Sequence, residues 1–197
     1  VPVAMINRDA NLESVDVVSS DNRHGGALAA HCLIAAGARR LAYVNLPSGT
    51  YSGVSRGAGF SEAAAMSGQP SISVELLQGR LAGYEGGAAI AAQLLDRPAE
   101  RRPEGVFCAN DTLAFGFMDA ARHTFGLRIP EDIAVVGFDD VPMAAAASFQ
   151  LTSVRQDIEG LAAEAVDRLV ERMSDPTRPV RSQTLPVELV ERRTCRR

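Results

Sequence analysis

Tryptophan is absent from this 197-residue chain, and Phe and Tyr bring the aromatic share to only 5%. Any sizeable core must be filled by Ala, Val, Leu and Ile, and the 46% hydrophobic content makes one available. Basic residues are scarce too. Twenty Lys and Arg stand against 24 Asp and Glu, for a net charge of −4. That balance excludes a global attraction to nucleic acid or to an anionic membrane surface. The three cysteines, Cys32, Cys108 and Cys195, are odd in number and widely spaced. They read as reduced thiols, buried or terminal, which favours the cytoplasm over the periplasm. His24, His31 and His123 are scattered, so no metal-ligand spacing exists. No apolar run reaches the roughly 18 residues that span a bilayer. No G-x-G-x-x-G or Walker sequence is present; Gly25-Gly26 and Gly86-Gly87 fall in helical segments and suit close packing. No initiator Met opens the chain, which therefore reads as a fragment or a processed product. Its first residues, VPVAMINRD, have the pattern of a strand rather than a signal peptide.

What is present is alternation. Pro2 to Ile6 and Val15 to Ser19 read as strands. Asn22 to Ala36 reads as a helix, capped by Asp21 and stopped by Gly37. Arg40 to Leu46 is a strand followed by a polar loop through Gly53, then a helix from Val54 to Ser67. Strand Ile72 to Leu77, helix Tyr84 to Leu95, strand Gly105 to Ala109 and helix Thr112 to Phe125 follow. Then come strands Ile133 to Phe138 and Thr152 to Arg155. In the next helix Ile158, Leu161, Ala162, Ala165, Val166, Leu169, Val170 and Met173 make one apolar stripe, expected to be buried. Ser182 to Glu191 is extended. Such alternation implies an α/β fold with doubly wound parallel sheets and helices on both faces.

The polar residues fall at one end of successive strands. Asn7 and Arg8 follow the first strand. Thr50 and Ser52 lie in the loop before the second helix, and Asn110, Asp139 and Gln156 follow later strands. The carboxyl ends of parallel strands are where an open α/β sheet places its ligand. Asn, Asp and Ser also favour turns and caps, so each position alone has a structural reading as well. As a set, planar amides, a carboxylate and a guanidinium suit vicinal hydroxyls or polar ring edges. Adjacent strand residues point opposite ways, so Asp139 and Asp140 are not expected to converge on one ion. One should face a cleft while the other orients a loop. Gly53-Val54-Ser55-Arg56-Gly57 matches the G-x-S-x-G nucleophile elbow, but Ser55 falls inside a helical pattern rather than directly after a strand.

Several strings together resemble the effector-binding core of the lactose-repressor (LacI/GalR) family of bacterial transcription regulators. They are VPVAMINRD, VSSDNRHGGALAAHCLIAAGARRLAYV, SRGAGFSEA, VFCANDTLAFGFMDAARHTFGLRIPEDIAVVGFDD and LTSVRQDIEGLAAEAVDRL. The resemblance covers nearly the whole chain. It implies a two-lobed, periplasmic-binding-protein-like fold with an effector in the cleft. The chain would cross between lobes near Ser19-Asp21, Arg155-Asp157 and Leu185-Val187. Residues 20–155 and 186–197 would form a complete C-terminal lobe, and 1–19 and 156–185 a partial N-terminal lobe. The family's helix-turn-helix headpiece is missing from this sequence, so operator DNA would be reached only through that missing part. A C-terminal lobe that folds alone, and a partial lobe poorly ordered or paired with another chain, are the expectations.

By the same resemblance the effector contacts would be Asn7, Arg8, Thr50, Ser52, Asn110, Asp139 and Gln156. Leu81 stands where some members place a ring-stacking aromatic, and Val54 where certain sugar-binding members carry Arg. The implied function is a sensor: a sugar-like effector biases a hinge, and the lobe angle sets headpiece spacing across a homodimer. A purine or nucleoside is the second effector class. No cofactor, no metal, no membrane and no enzymatic step are implied. The alternatives are a solute-binding protein of a sugar transport system and, more remotely, a serine hydrolase built on Ser55.

Overall fold

Short β-branched runs alternate with Ala- and Gly-rich stretches of helical period, and the computed structural model, which describes residues 1–8, 15–47 and 49–196, follows that alternation. The elements are β1 (Ala4–Ile6), β2 (Asp16–Ser20), α1 (Asn22–Ala35), β3 (Arg40–Asn45), α2 (Tyr51–Met66), β4 (Ser73–Gln78) and α3 (Gly83–Leu95). They continue with β5 (Gly105–Cys108), α4 (Asp111–Asp119), β6 (Ala134–Asp139), β7 (Thr152–Gln156), α5 (Ile158–Ser174), β8 (Ser182–Leu185) and β9 (Val187–Val190).

Caps decide where the helices begin. The Asp21 carboxylate accepts the His24 amide at 2.9 Å, and Asp157 accepts the Gly160 amide at 2.8 Å. These start α1 and α5 and satisfy backbone donors that no helical carbonyl can reach. Helix α2 starts earlier than its apolar pattern suggests. Thr50 caps it by accepting the Gly53 amide at 3.2 Å, so the expected polar loop through Gly53 is already helical. At the other end of the pattern, α4 widens into a single π-turn over Ala120–Thr124.

The strands form two sheets. One has the order β1-β2-β8, and the other the order β4-β3-β5-β6-β7-β9. Among the described residues the pairings are parallel, as expected, with one antiparallel edge where β7 meets β9. The reason is connectivity: β8 and β9 are separated by Pro186 alone, and β9 enters the larger sheet running back along β7. The chain changes sheet after β2, after β7 and after β8.

In the larger sheet the chain runs from β3 outward to β4, then returns to β5 on the other side of β3. That reversal opens a crevice at the carboxyl ends of β3 and β5. Helix α1 packs along α2, and α3 along α4. Both contacts are close because glycines meet backbone. A Cβ on Gly26 would lie 2.0 Å from the Arg56 carbonyl oxygen, and one on Gly116 would lie 1.8 Å from that of Tyr84.

The core sits in the larger sheet and its four helices. Phe60, Phe107, Phe117, Phe138, Leu33, Leu94 and Leu113 are fully buried there. Tyr43, Phe60 and Phe107 cluster, with ring centroids 5.1 Å apart for Tyr43–Phe107 and 5.4 Å for Phe60–Phe107. The smaller sheet is covered differently. Its buried apolar cluster is Val18, Leu161 and Ala165, with Ala4 and Leu185 packed against it. The apolar stripe of α5 is therefore not buried as a unit. Leu161 and Ala165 face the sheet, while Ile158, Val166, Val170 and Met173 are all more than half exposed. The three strands that the described residues place in this sheet leave the rest of the stripe uncovered.

The three cysteines are free in the structure, and Cys108 and Cys195 are buried; Cys32 on α1 and Cys195 after β9 have their Sγ atoms 2.8 Å apart, a pairing their sequence spacing gave no sign of. Among the described residues no helix is long and apolar enough to cross a membrane.

Candidate functional site

The two sheets meet where the chain changes from one to the other, and polar side chains from both converge there. Gln156, at the end of β7, is buried. Its carbonyl oxygen accepts Asn7 Nδ2 at 2.9 Å and the Ser20 hydroxyl at 2.7 Å. Its Nε2 donates to Asp139 Oδ1 at 2.7 Å. Asn7 Oδ1 in turn accepts the Ser20 amide at 2.9 Å. Ser52, in the first turn of α2, donates to the Asn7 carbonyl at 3.1 Å. Asn7 and Ser20 end strands of the smaller sheet, Asp139 ends a strand of the larger one, and Gln156 sits on the second crossing. One hydrogen-bonded chain thus links both halves.

Backbone conformation singles out the same place. Asn7 has φ 52°, Asp139 φ 114° and Asp140 φ 52°. Non-glycine residues rarely hold positive φ, and such positions persist where surrounding structure over-determines them. The two aspartates then diverge. Asp139 faces Gln156, and its Oδ1 lies 4.0 Å from Arg56 Nη1. Asp140 accepts Arg155 Nε at 2.7 Å and lies against Arg192 Nη1, also at 2.7 Å, as an ion pair without hydrogen-bond alignment.

Arg56 is the centre that sequence reasoning missed. It is 7% exposed. Its Nε donates to Asn22 Oδ1 at 2.8 Å and its Nη1 to the Ala109 carbonyl at 2.5 Å, while its guanidinium carbon lies 3.4 Å from the centroid of the Phe138 ring. Burial lowers its pKa, and the nearby Asp139 charge opposes that. Burial likewise raises the pKa of Asp139, against the pull of Arg56 and the Gln156 hydrogen bond. Arg56 is buried and Asp139 half-buried, and the charge of each opposes the shift that burial imposes on the other. A signal for Arg56 existed. Gly53, Arg56, Gly57, Phe60, Ala63 and Ala64 recur at helical spacing, so Arg56 falls on the buried face of α2.

Asp111 was missed as well. An acidic residue in a first helical turn normally faces solvent and complements the helix dipole. Here it is fully buried. It accepts the Ser153 hydroxyl at 2.5 Å and the Val141 amide at 2.8 Å. Burial, with the charges of Asp139 and Asp140, pushes its pKa up to about 7, although the Ser153 and Val141 hydrogen bonds pull the other way.

The remaining expected residues fare differently. Thr50 is spent as the cap of α2, a structural role rather than a free ligand group. Asn110 caps α4, its Oδ1 accepting the Leu113 amide at 2.9 Å, and it directly follows Ala109, whose carbonyl holds Arg56. Arg8 is exposed beside Asn7. Leu81 is half exposed in the turn before α3, away from the hydrogen-bonded chain of Asn7, Gln156 and Asp139. Ser55 lies in the second turn of α2, not on a strand-to-helix elbow, so the geometry of a nucleophile is not met. Among the described residues no three His, Cys, Asp or Glu side chains group as metal ligands.

Known proteins share this architecture. A family model described as a periplasmic binding protein-like domain matches residues 30–195. The transcriptional regulator DegA of Bacillus subtilis is 34% identical over 193 residues, 98% of this chain and 56% of that protein. A LacI transcriptional regulator from a Rhodococcus species superposes with a TM-score of 0.89 at 31% identity, over 99% of this chain and 70% of that one. A LacI family regulator from Enterococcus faecalis, solved with bound ribose, gives 0.86 at 28% identity, over 98% and 68%. The chain thus spans little more than half the length of its curated relative. It belongs to the periplasmic binding protein-like domain family, among relatives that are LacI-family transcriptional regulators.

Proposed function

We propose that this chain is the effector-sensing core of a LacI-type DNA-binding transcriptional regulator, and that it binds a sugar or sugar derivative between its two halves. The observation that carries the reading is the hydrogen-bonded chain Asn7–Gln156–Asp139, which draws on both sheets at the crossings. A polyol placed there exchanges these internal bonds for its own hydroxyls: a carboxylate accepts, an amide does both. The ribose bound to the Enterococcus faecalis relative supports the sugar class. Asn7, Asp139 and Gln156 are the direct contacts in this reading, with Ser52, Asn110 and Arg8 at the rim. The Arg56 charge, 4.0 Å from Asp139, favours the carboxylate against the effect of burial. Residues 20–155 and 186–197 act as one lobe and 1–19 and 156–185 as part of the other.

Ligand contacts on both halves favour one relative orientation over another, and the difference in affinity between the two states is the coupling energy. A tenfold difference is about 1.4 kcal/mol. The protein senses its ligand without transforming it, works inside the cell as a homodimer, and reaches operator DNA through a headpiece outside this sequence. Calorimetric titration of the full-length protein with ribose, other monosaccharides, sugar phosphates and nucleosides tests the reading. Saturable binding of one sugar class that Asp139→Ala weakens at least tenfold supports it. Tight binding of a nucleoside alone, or sugar affinity unchanged in Asp139→Ala, overturns it.

A further inference from the structure

Cys32 and Cys195 lie 163 positions apart in sequence, with their sulfurs 2.8 Å apart. A disulfide bond is about 2.04 Å long, so a small movement of two side chains closes the gap. Both partners are held in place. Cys32 belongs to α1, which is locked against α2 by the close approach at Gly26. Cys195 follows Thr194, which is tied into the larger sheet. The Thr194 hydroxyl donates to the Val135 carbonyl at 2.7 Å and accepts the Thr152 amide at 2.9 Å, and the Thr194 carbonyl accepts the Val135 amide at 2.8 Å.

The two thiols differ in access. Cys195 is 2% exposed and Cys32 is half-buried. A pocket of about 150 Å³ opens beside both, rimmed by His31, Glu191 and Arg196. That space admits a small oxidant. The contact with Cys32, burial, and the Glu191 charge together push the Cys195 thiol up. Cys32 is therefore the sulfur that meets an oxidant first, with Cys195 beside it as the resolving partner. The third thiol, Cys108, is fully buried in β5.

We propose that Cys32 and Cys195 are a reversible redox pair, which a hydroperoxide converts to an intramolecular disulfide that braces the C-terminal segment against α1. The Cys32 thiolate attacks a peroxide oxygen. The O–O bond breaks, an S–O bond forms, and the other oxygen leaves as water or alcohol by taking the proton that the Cys32 thiol released on ionising. The Cys195 sulfur then attacks the Cys32 sulfenic acid. The S–S bond forms, the S–O bond breaks, and the hydroxyl leaves as water with the Cys195 proton. Two electrons pass from the thiols to the peroxide, and a dithiol reverses the change. The site lies apart from the polar chain between the sheets and does not depend on what binds there.

The experiment treats the intact protein with hydrogen peroxide, alkylates free thiols, and measures intact mass, a non-reducing peptide map and Tm. Expected are loss of two hydrogens, a Cys32–Cys195 cross-linked peptide, Cys108 alkylated only after unfolding, and a Tm higher by about 5–10 °C that dithiothreitol abolishes. Cys32→Ser, at the more open position, keeps the reduced Tm and shows neither the mass loss nor the rise. In Cys195→Ser, dimedone traps a sulfenic acid on Cys32. Intermolecular cross-links, sulfinic acids on both residues, or no mass change in excess peroxide overturns the proposal. So does a cross-linked protein whose Tm equals that of the reduced form.

Discussion

The six-stranded half and the three-stranded half are built from the same kind of βα unit, yet they bury very different amounts. The four fully buried phenylalanines, Phe60, Phe107, Phe117 and Phe138, all lie in the six-stranded half. The three-stranded half closes over Val18, Leu161 and Ala165, and is held as much by charge as by packing. Arg172 of α5 donates to both oxygens of Asp16, at 2.6 and 3.1 Å, and Arg181 gives Asp16 its backbone amide at 2.9 Å. The difference teaches that the number of strands beneath a helix sets what it can hide: six let helices bury on both faces, whereas the three that the described residues supply leave Val166, Val170 and Met173 of the 17-residue α5 uncovered by this chain.

Core truncation tests this contrast most strongly. Phe107→Ala should cost about 3–5 kcal/mol, the usual range for emptying a packed aromatic site. Leu161→Ala should cost no more than about 2 kcal/mol, since a thin shell collapses more readily than a packed core. Urea unfolding followed by hydrogen exchange reads both. Leu161→Ala should speed exchange across 158–174 and leave 134–139 protected. Equal losses of protection in both segments would show that the halves unfold as one unit, and the contrast would fall.

Asp139 and Asp140 come next, because the proposed function gives Asp139 to binding while the ion pairs of Asp140 give it to stability. Asp139→Ala should cost sugar affinity about 1.5–3 kcal/mol, the loss of a charged hydrogen bond. Asp140→Ala should lower Tm while leaving affinity within about twofold, since it frees Arg155 and Arg192 rather than a ligand contact. A reversal of those two effects in calorimetry would exchange the roles assigned here.

The pH dependence separates the halves by sign. Asp111 is ordinarily near 3.8 and stands at about 7 in the folded chain. Between those values the folded state keeps a proton that the unfolded state has released, so its contribution to stability falls as pH rises through the window. Asp16 is lowered, chiefly by the hydrogen bond from Arg172. Its contribution is complete above pH 3.8 and is lost as pH falls through the lowered value. Taking the pH from 8 to 5 should raise the Tm of the six-stranded half, and Asp111→Asn should flatten that rise. An unchanged slope in Asp111→Asn would assign the titration elsewhere.

The smallest expected effect concerns the overhanging face of α5. Val170→Lys should change the stability of an isolated chain by within about 0.5 kcal/mol, as surface substitutions usually do. A loss of more than about 1.5 kcal/mol, or a change in sedimentation, would mean that another surface covers this stripe.

Part of the polar cluster between the sheets could be read from the sequence as a candidate site, and the gaps have identifiable causes. Asn7, Asp139 and Gln156 were legible because strand ends are punctuated by polar residues, and their joining hydrogen bonds now give that pattern a geometry. Thr50 was legible as polar but not as a cap, because the sequence pattern placed the helix start three residues late. Arg56 was hidden by a motif that drew attention to Ser55, although its helical phase pointed inward. Asp111 gave no such signal: only the approach of Ser153 and Val141, more than 25 positions away, makes its burial possible.

The sequence by itself determined the order of elements, the caps at Asp21 and Asp157, and the alternation that forces parallel sheets. These follow from local periodicity and from backbone groups satisfied within a few residues. Tertiary structure alone decided which face of α5 is covered, that β9 runs antiparallel beside β7, that Arg56 and Asp139 share a buried site, and that Cys32 meets Cys195. Each of those is a contact between residues dozens of positions apart. Local pattern carries no record of such pairings, because they arise only when sheet order and helix packing bring the partners together.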